Sequence, residues 1–177
     1  MADWQQIVRT HGPMAFATGW RLLGNSADTE ECVQEAMFDA FRLFQREKID
    51  NWGGALRQLT TRRAIDRLRK RHVTEEMVVH PHAPAIEQPD SIASQKELAE
   101  RLRMAVANLP DRQASVFALH VFGEMERSEI ALALGISEGA GGVALHKARG
   151  KLKESFRGDL ASTDGNVSDS HQNEEQS

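Results

Sequence analysis

The chain has 177 residues, enough for one domain or two small ones. Its 22 Lys and Arg against 26 Asp and Glu leave a net charge of −4, which excludes a uniformly basic nucleic-acid coat protein. The single cysteine, Cys32, excludes an internal disulfide and a cysteine-based zinc site, and no apolar run has the length of a secretory signal or a membrane span. A soluble, cytoplasmic protein is expected. The overall charge conceals a division: the part before His72 is rich in Arg and Lys, whereas the tail after Ala161 carries acids and neither cation.

In chain order, residues from Trp4 to Leu23 have helical spacing, and Gly24-Asn25 ends that element. Ser26 is placed to cap the next helix, with Asp28, Glu30 and Glu31 complementing its positive end. Along that helix Cys32, Ala36, Ala40 and Phe44 recur every four residues, with Val33, Met37 and Phe41 beside them, which makes a broad apolar stripe. Cys32 lies inside the stripe and is expected to be a small core residue. A loop over residues 45–54 leads into ALRQLTTRRAIDRLRKR, residues 55–71, which starts apolar and ends strongly basic. There Ala64, Ile65 and Leu68 make a buried face, while Arg63, Arg67, Lys70 and Arg71 follow their own helical spacing away from it. A cationic ridge on a packed helix suits a polyphosphate backbone, since each neutralised phosphate releases a counterion. A solvated basic helix end, with Asp66 pairing to Arg62 and Lys70, accounts for part of the same pattern.

From residue 73 to 94 the helical period fails, and Pro81, Pro84 and Pro89 mark a linker. His80 and His82 have no carboxylate or cysteine cluster at a supporting spacing, so no metal or cofactor is expected. Beyond it, Leu98, Leu102, Ala105, Val106 and Leu109 form a stripe that ends at Pro110, and Asp111 is placed to cap a helix running through Val116 and Leu119. A short helix with Ile130, Ala131 and Leu134 follows, then a turn at Gly135. The last helix is capped by Ser137 and buries Leu145, Ala148, Leu152 and Phe156. Short helix, glycine turn and longer helix form a helix-turn-helix pattern. No strand alternation occurs. The expected fold is all-α: two small helical domains, residues 1–72 and 95–160, joined by a flexible linker over 73–94 and followed by a disordered acidic tail over 161–177.

These segments resemble a known family. ADTEECVQEAMFDAF (27–41), ALRQLTTRRAIDRLRKR (55–71), LPDRQASVFALHVFGEMERSEIALALGISEG (109–139) and LHKARGKL (145–152) are similar, in this order, to the extracytoplasmic-function (ECF) sigma factors of bacterial RNA polymerase. The resemblance implies a sigma region 2 followed by a region 4 helix-turn-helix, in a non-catalytic subunit that recruits core polymerase to promoters. It implies core RNA polymerase (β′ clamp and β subunit) and promoter DNA as partners, and leaves room for an anti-sigma factor. Glu31, Gln34 and Glu35 match the polymerase-docking helix, although an acidic helix start explains Glu30 and Glu31 equally well. Arg62, Arg63, Arg67, Arg69, Lys70 and Arg71 match the helix that contacts the −10 element. Asn51 and Trp52 fall where the family holds a flipped base, with a core role for Trp52 the alternative. In the −35 region the matching residues are Ser137, Glu138, His146, Lys147, Arg149 and Lys151.

The last helix departs from the pattern. Ala140, Gly141, Gly142, Val143 and Ala144 stand where the family commonly has a Thr-Val-Lys-Ser-Arg type run, so two groove-facing cations are missing. Each glycine costs about 1 kcal/mol relative to alanine inside a helix, so this one is expected to start late or fray. The remaining cations suit phosphates better than base edges. Two rivals follow: a helix-turn-helix regulator acting without polymerase, and a sigma-like protein-interaction module whose −35 reading has decayed. An enzyme is disfavoured, because no nucleophile–base pair or phosphate-cradling loop stands out.

Overall fold

The computed structural model describes residues 3–46, 49–77 and 91–163, and among these all regular structure is helical. Helix α1 (Trp4–Leu23) opens with the Asp3 carboxylate accepting from the Gln5 amide at 3.1 Å and closes on Gly24 in the left-handed region, φ 73°. Helix α2 (Ser26–Arg46) is capped by Asn25 rather than by Ser26. The Asn25 side chain accepts from the Asp28 amide at 2.8 Å, and its carbonyl receives the Thr29 amide at 3.2 Å. Helix α3 (Trp52–Met77) starts in the same manner, with Asn51 Oδ1 accepting from the Gly54 amide at 2.8 Å.

These three helices pack mutually. At one end Ile7, Ala40, Trp52 and Leu56 are buried with Trp4, Phe44 and Met37 against them. Further along, Gly19 lets α1 approach α2 and α3 closely: a Cβ there would stand 3.3 Å from the Thr29 methyl and 3.5 Å from that of Thr60. The α2 stripe is buried as its spacing demands, with Cys32, Ala36 and Ala40 fully covered, while Phe41 stays partly exposed.

The second unit holds α4 (Ser91–Ala107), α5 (Asp111–Val121), α6 (Arg127–Leu134) and α7 (Glu138–Thr163). Val106, Val116, Leu119, Ile130, Leu145, Ala148 and Leu152 form its core. Leu98 does not join the stripe it was expected to share and is 53% exposed. Asp111 is the first residue of α5 instead of its cap; Pro110 precedes it and supplies no side-chain bond. Helix α6 carries a capping box between Glu126 and Glu129 and ends on Gly135 at φ 63°. Helices α6 and α7 then meet at 105°, within the range of a helix-turn-helix.

Ser137 Oγ accepts from the Ala140 amide at 3.1 Å, and α7 runs unbroken through Gly141 and Gly142. The expected late start is therefore not what forms. Burial of Ala144, Leu145, Ala148 and Leu152 against α5 and α6 outweighs the poor local propensity. Helix α3 extends to Met77 and α4 begins at Ser91, so both ends of the linker expected over 73–94 are helical. The stretch with His80, Pro81, His82, Pro84 and Pro89, and the tail from residue 164, lie outside the described residues. Among the described residues no single helix is long and apolar enough to cross a membrane.

The two units share one core. Leu22 and Leu23 from α1 and Ala64, Ile65 and Leu68 from α3 are buried in the same cluster as Val106, Leu109, Phe117, Phe122 and Met125. A leucine fully removed from water contributes about 1.5–3 kcal/mol, so the junction is apolar at its centre.

Two glycine substitutions should move stability in opposite directions. A Cβ at Gly142 meets nothing within 4 Å, so Gly142→Ala should stabilise the chain by up to about 1 kcal/mol through helix propensity. At Gly24 a side chain would sit at φ 73° and 2.7 Å from the Arg103 guanidinium, and Gly24→Ala should destabilise by about 1–2 kcal/mol. Urea unfolding of both variants measures the two signs.

Candidate nucleic-acid interface

Helices α2 and α3 face one another across a ladder of opposite charges. Arg67 Nη1 donates to Glu31 at 2.9 Å and Nη2 to Glu35 at 3.1 Å, with Asp28 at 3.7 Å. Arg63 Nε donates to Asp39 at 2.9 Å, and its Nη1 lies 3.7 Å from Glu35. Arg71 completes the run, 3.9 Å from Asp28. The Arg67 hydrogen bond and charge hold the Glu31 carboxyl below its ordinary pKa, while the carboxylates of Glu31 and Asp39 raise Arg67 and Arg63 respectively. Beneath the ladder, burial lifts the Cys32 thiol to about 11, and its sulfur reaches the Thr60 carbonyl at 3.6 Å. At neutral pH it is an inert core thiol.

The basic ridge expected on α3 is thus divided three ways. Arg63 and Arg67 turn toward α2, while Arg71 lies between Asp28 on α2 (3.9 Å) and Glu100 on α4 (3.2 Å). Arg69 turns the other way: Nε and Nη2 donate to the carbonyls of Ala107 (2.9 Å) and Leu109 (3.0 Å), and Nη1 to Asp111 at 2.7 Å. Arg62 and Lys70 remain exposed, with no ion pair among the described residues, and Asp66 between them pairs with neither. They are the cations of α3 open to a phosphate backbone.

Asn51 and Trp52, where α3 begins, both have partners within the first unit. Asn51 is engaged as the helix cap, and Trp52, 8% exposed, stacks at an edge against Trp4 and tilts against Phe44. Trp52 offers no open face for a base, so its core alternative holds.

On α2, Glu31 and Glu35 spend their carboxylates on the ladder, and Gln34 stands exposed. Four residues on, Phe38 is 62% exposed, beside Phe41 at 37%. The apolar stripe did not include Phe38. Its signal was the row Glu30, Gln34, Phe38, an aromatic residue on an otherwise polar face.

In the second unit, Ser137 is occupied as the α7 cap, while Glu138, His146, Lys147, Arg149 and Lys151 are exposed. A Cβ built at Gly139, Gly142 or Gly150 would meet open space, and Val143 is 56% exposed. The outer ridge of α7 therefore carries little side-chain chemistry for base edges, and the cations flank it. No group of three or more His, Cys, Asp or Glu among the described residues is placed to hold a metal.

Two helical units, the second built around a helix-turn-helix, match two family models in the same order. The Sigma-70 region 2 model matches residues 7–73 and the Sigma-70 region 4 model residues 95–152. The chain is 27% identical over 158 residues to the ECF RNA polymerase sigma factor SigE of Mycolicibacterium smegmatis, covering 87% of this chain and 62% of that protein. It is 26% identical over 167 residues to the ECF RNA polymerase sigma factor SigW of Bacillus subtilis, covering 85% of this chain and 87% of that protein. The fold matches that of the sigma factor RpoE in its complex with the anti-sigma factor NepR from Bartonella quintana, with a TM-score of 0.55 and 18% identity over 89% of this chain and 98% of that one. The chain belongs to the ECF sigma factors of the sigma-70 family.

The charge ladder sets a pH dependence. Because folding lowers the Glu31 pKa, its stabilisation is present above the ordinary carboxylate range and is lost as pH falls through the lowered value. Glu31→Gln should therefore unfold earlier than the parent chain at pH 7 and match it in strong acid. Thermal melts across that range check this, and an equal gap at both ends would detach Glu31 from the effect.

Proposed function

We propose that this chain is an alternative sigma factor that binds core RNA polymerase, directs it to a set of promoters and helps open them. Residues 1–72 serve polymerase binding, −10 recognition and melting. Residues 95–160 serve the −35 contact, with 73–94 linking the two and 161–177 forming a tail. The chain contributes binding rather than chemistry, and it acts in the cytoplasm, where its polymerase and promoters are.

The observation that carries this assignment is the division of one helical pair into two exposed surfaces. On α2, Gln34 and Phe38 form a polar and aromatic face free of the ladder, suited to docking on a protein. On α3, Arg62 and Lys70 form a cationic row suited to phosphates. A helix-turn-helix regulator acting alone has no need of the first surface. Cations flanking the bare ridge of α7 favour backbone contact at the −35 position, with modest sequence preference.

Run-off transcription with purified core polymerase on a promoter library tests the assignment directly. Gln34→Ala with Phe38→Ala should weaken core binding at least tenfold while leaving helicity unchanged; full affinity in a titration would remove the polymerase surface from α2. Arg62→Ala with Lys70→Ala should lower the salt slope of promoter binding by about 1.5–2, as two fewer phosphates are neutralised. An unchanged slope would exclude that row from the DNA contact.

A further inference from the structure

Gly139, Gly142, Val143, His146 and Gly150 share the outer face of α7 at helical spacing. Val143 is the aliphatic side chain of that face. It is 56% exposed and points away from the core that its neighbours Ala144, Leu145 and Ala148 enter. A Cβ at Gly139, Gly142 or Gly150 would meet nothing within 4 Å, so packing of the second unit does not require those positions to be bare. Exposed cations border the same face, Lys147 one turn beyond Val143 and then Arg149 and Lys151. Positive charge along the second helix of a helix-turn-helix complements duplex DNA, whose major groove admits an α-helix. In that arrangement the N-terminal residues of the helix meet the base edges, and Val143 lies in the second turn of α7.

We infer that Val143 determines sequence specificity in the −35 contact, and that the base it selects is thymine. An isopropyl group neither donates nor accepts a hydrogen bond. The C5-methyl of thymine is the only methyl group on the major-groove edges of the bases. Guanine O6 and N7, or the cytosine amino group, would lose water against Val143 and gain no partner there. The neighbouring glycines assist this contact. With no side chain at Gly139 or Gly142, the backbone of the first turns can approach the base edges closely enough for a residue as short as valine to touch them. The thymine preference rests on the −35 contact proposed above. It adds what the flanking cations lack, since contacts to phosphates carry no sequence information.

The test uses the full chain and a duplex that it selects from a randomised library. Each thymine of that duplex is replaced in turn by deoxyuridine, which lacks only the C5-methyl, and affinities are titrated at one salt concentration. At one or two thymines the parent chain should bind about fourfold more weakly, the effect of one apolar carbon returned to water. Val143→Ala should bind the unmodified duplex more weakly and lose the response to deoxyuridine at those positions. Its salt slope should match that of the parent, because no cation is removed. Leu132→Ala, at an 83% exposed position on α6, deletes an apolar side chain outside the outer face of α7 and should respond to deoxyuridine as the parent does. A selected duplex indifferent to every thymine methyl, or an equal response in Val143→Ala and the parent, overturns the role of Val143 and leaves the −35 contact standing. Failure of the chain to select any sequence overturns the −35 contact, and the thymine preference with it.

Discussion

Helix α3 has to bury side chains on two sides at once, and the arrangement of the whole molecule follows from that demand. Thr60, Ala64 and Leu68 are fully covered, and Ile65 nearly so. At 100° per residue these positions span one broad face, wide enough to touch α1 and α2 at one edge and α4, α5 and α6 at the other. The cations between them have no freedom to choose their surroundings. Arg63 and Arg67 fall at the edge facing α2, Arg71 between α2 and α4, and Arg69 at the edge facing the α4–α5 turn. Arg62 and Lys70 lie midway, in water.

A helix with this many cations would repel itself and bind nucleic acid without discrimination. The α2 carboxylates remove much of that field. Asp28, Glu31, Glu35 and Asp39 are spaced three or four apart and meet the arginines of α3, so the pairs form a network instead of scattered surface contacts. The ladder has a second effect on α2. With four of its acids turned toward α3, that helix presents Gln34 and Phe38 on another row, between the exposed Glu30 and Arg42, a mixed surface suited to a protein partner.

The junction between the units combines an apolar centre with polar contacts at its rim. Leu22, Leu23 and Leu68 provide the non-directional part. The arginine-to-carbonyl bonds provide the directional part, and they fix how the second unit sits on the first. Such contacts are reversible, because every carbonyl and guanidinium involved can be satisfied by water when the units part.

Much of the fold was legible in the chain itself. The extents of α1 and of the helix-turn-helix followed from periodicity, from Gly24 and Gly135 and from Ser137. The core role of Cys32 followed from its place in an apolar stripe. Local choices were less secure where two residues offered the same chemistry: Asn25 capped α2 in place of its neighbour Ser26, and Asp111 was drawn to Arg69 instead of capping α5. Gly141 and Gly142 stayed helical because burial along the face of α7 that Gly141 shares with Leu145, Ala148 and Leu152 exceeds their propensity cost. Periodicity reports which side chains share a face, but not what lies across from it. Arg63 and Asp39 are 24 residues apart, Arg67 and Glu31 are 36 apart, and Arg69 and Asp111 are 42 apart. Sequence determined that α3 is basic and amphipathic. Only tertiary packing decided which of its cations are neutralised, which are held against the second unit and which face solvent, because a long-range ion pair depends on distances that spacing along one helix does not encode.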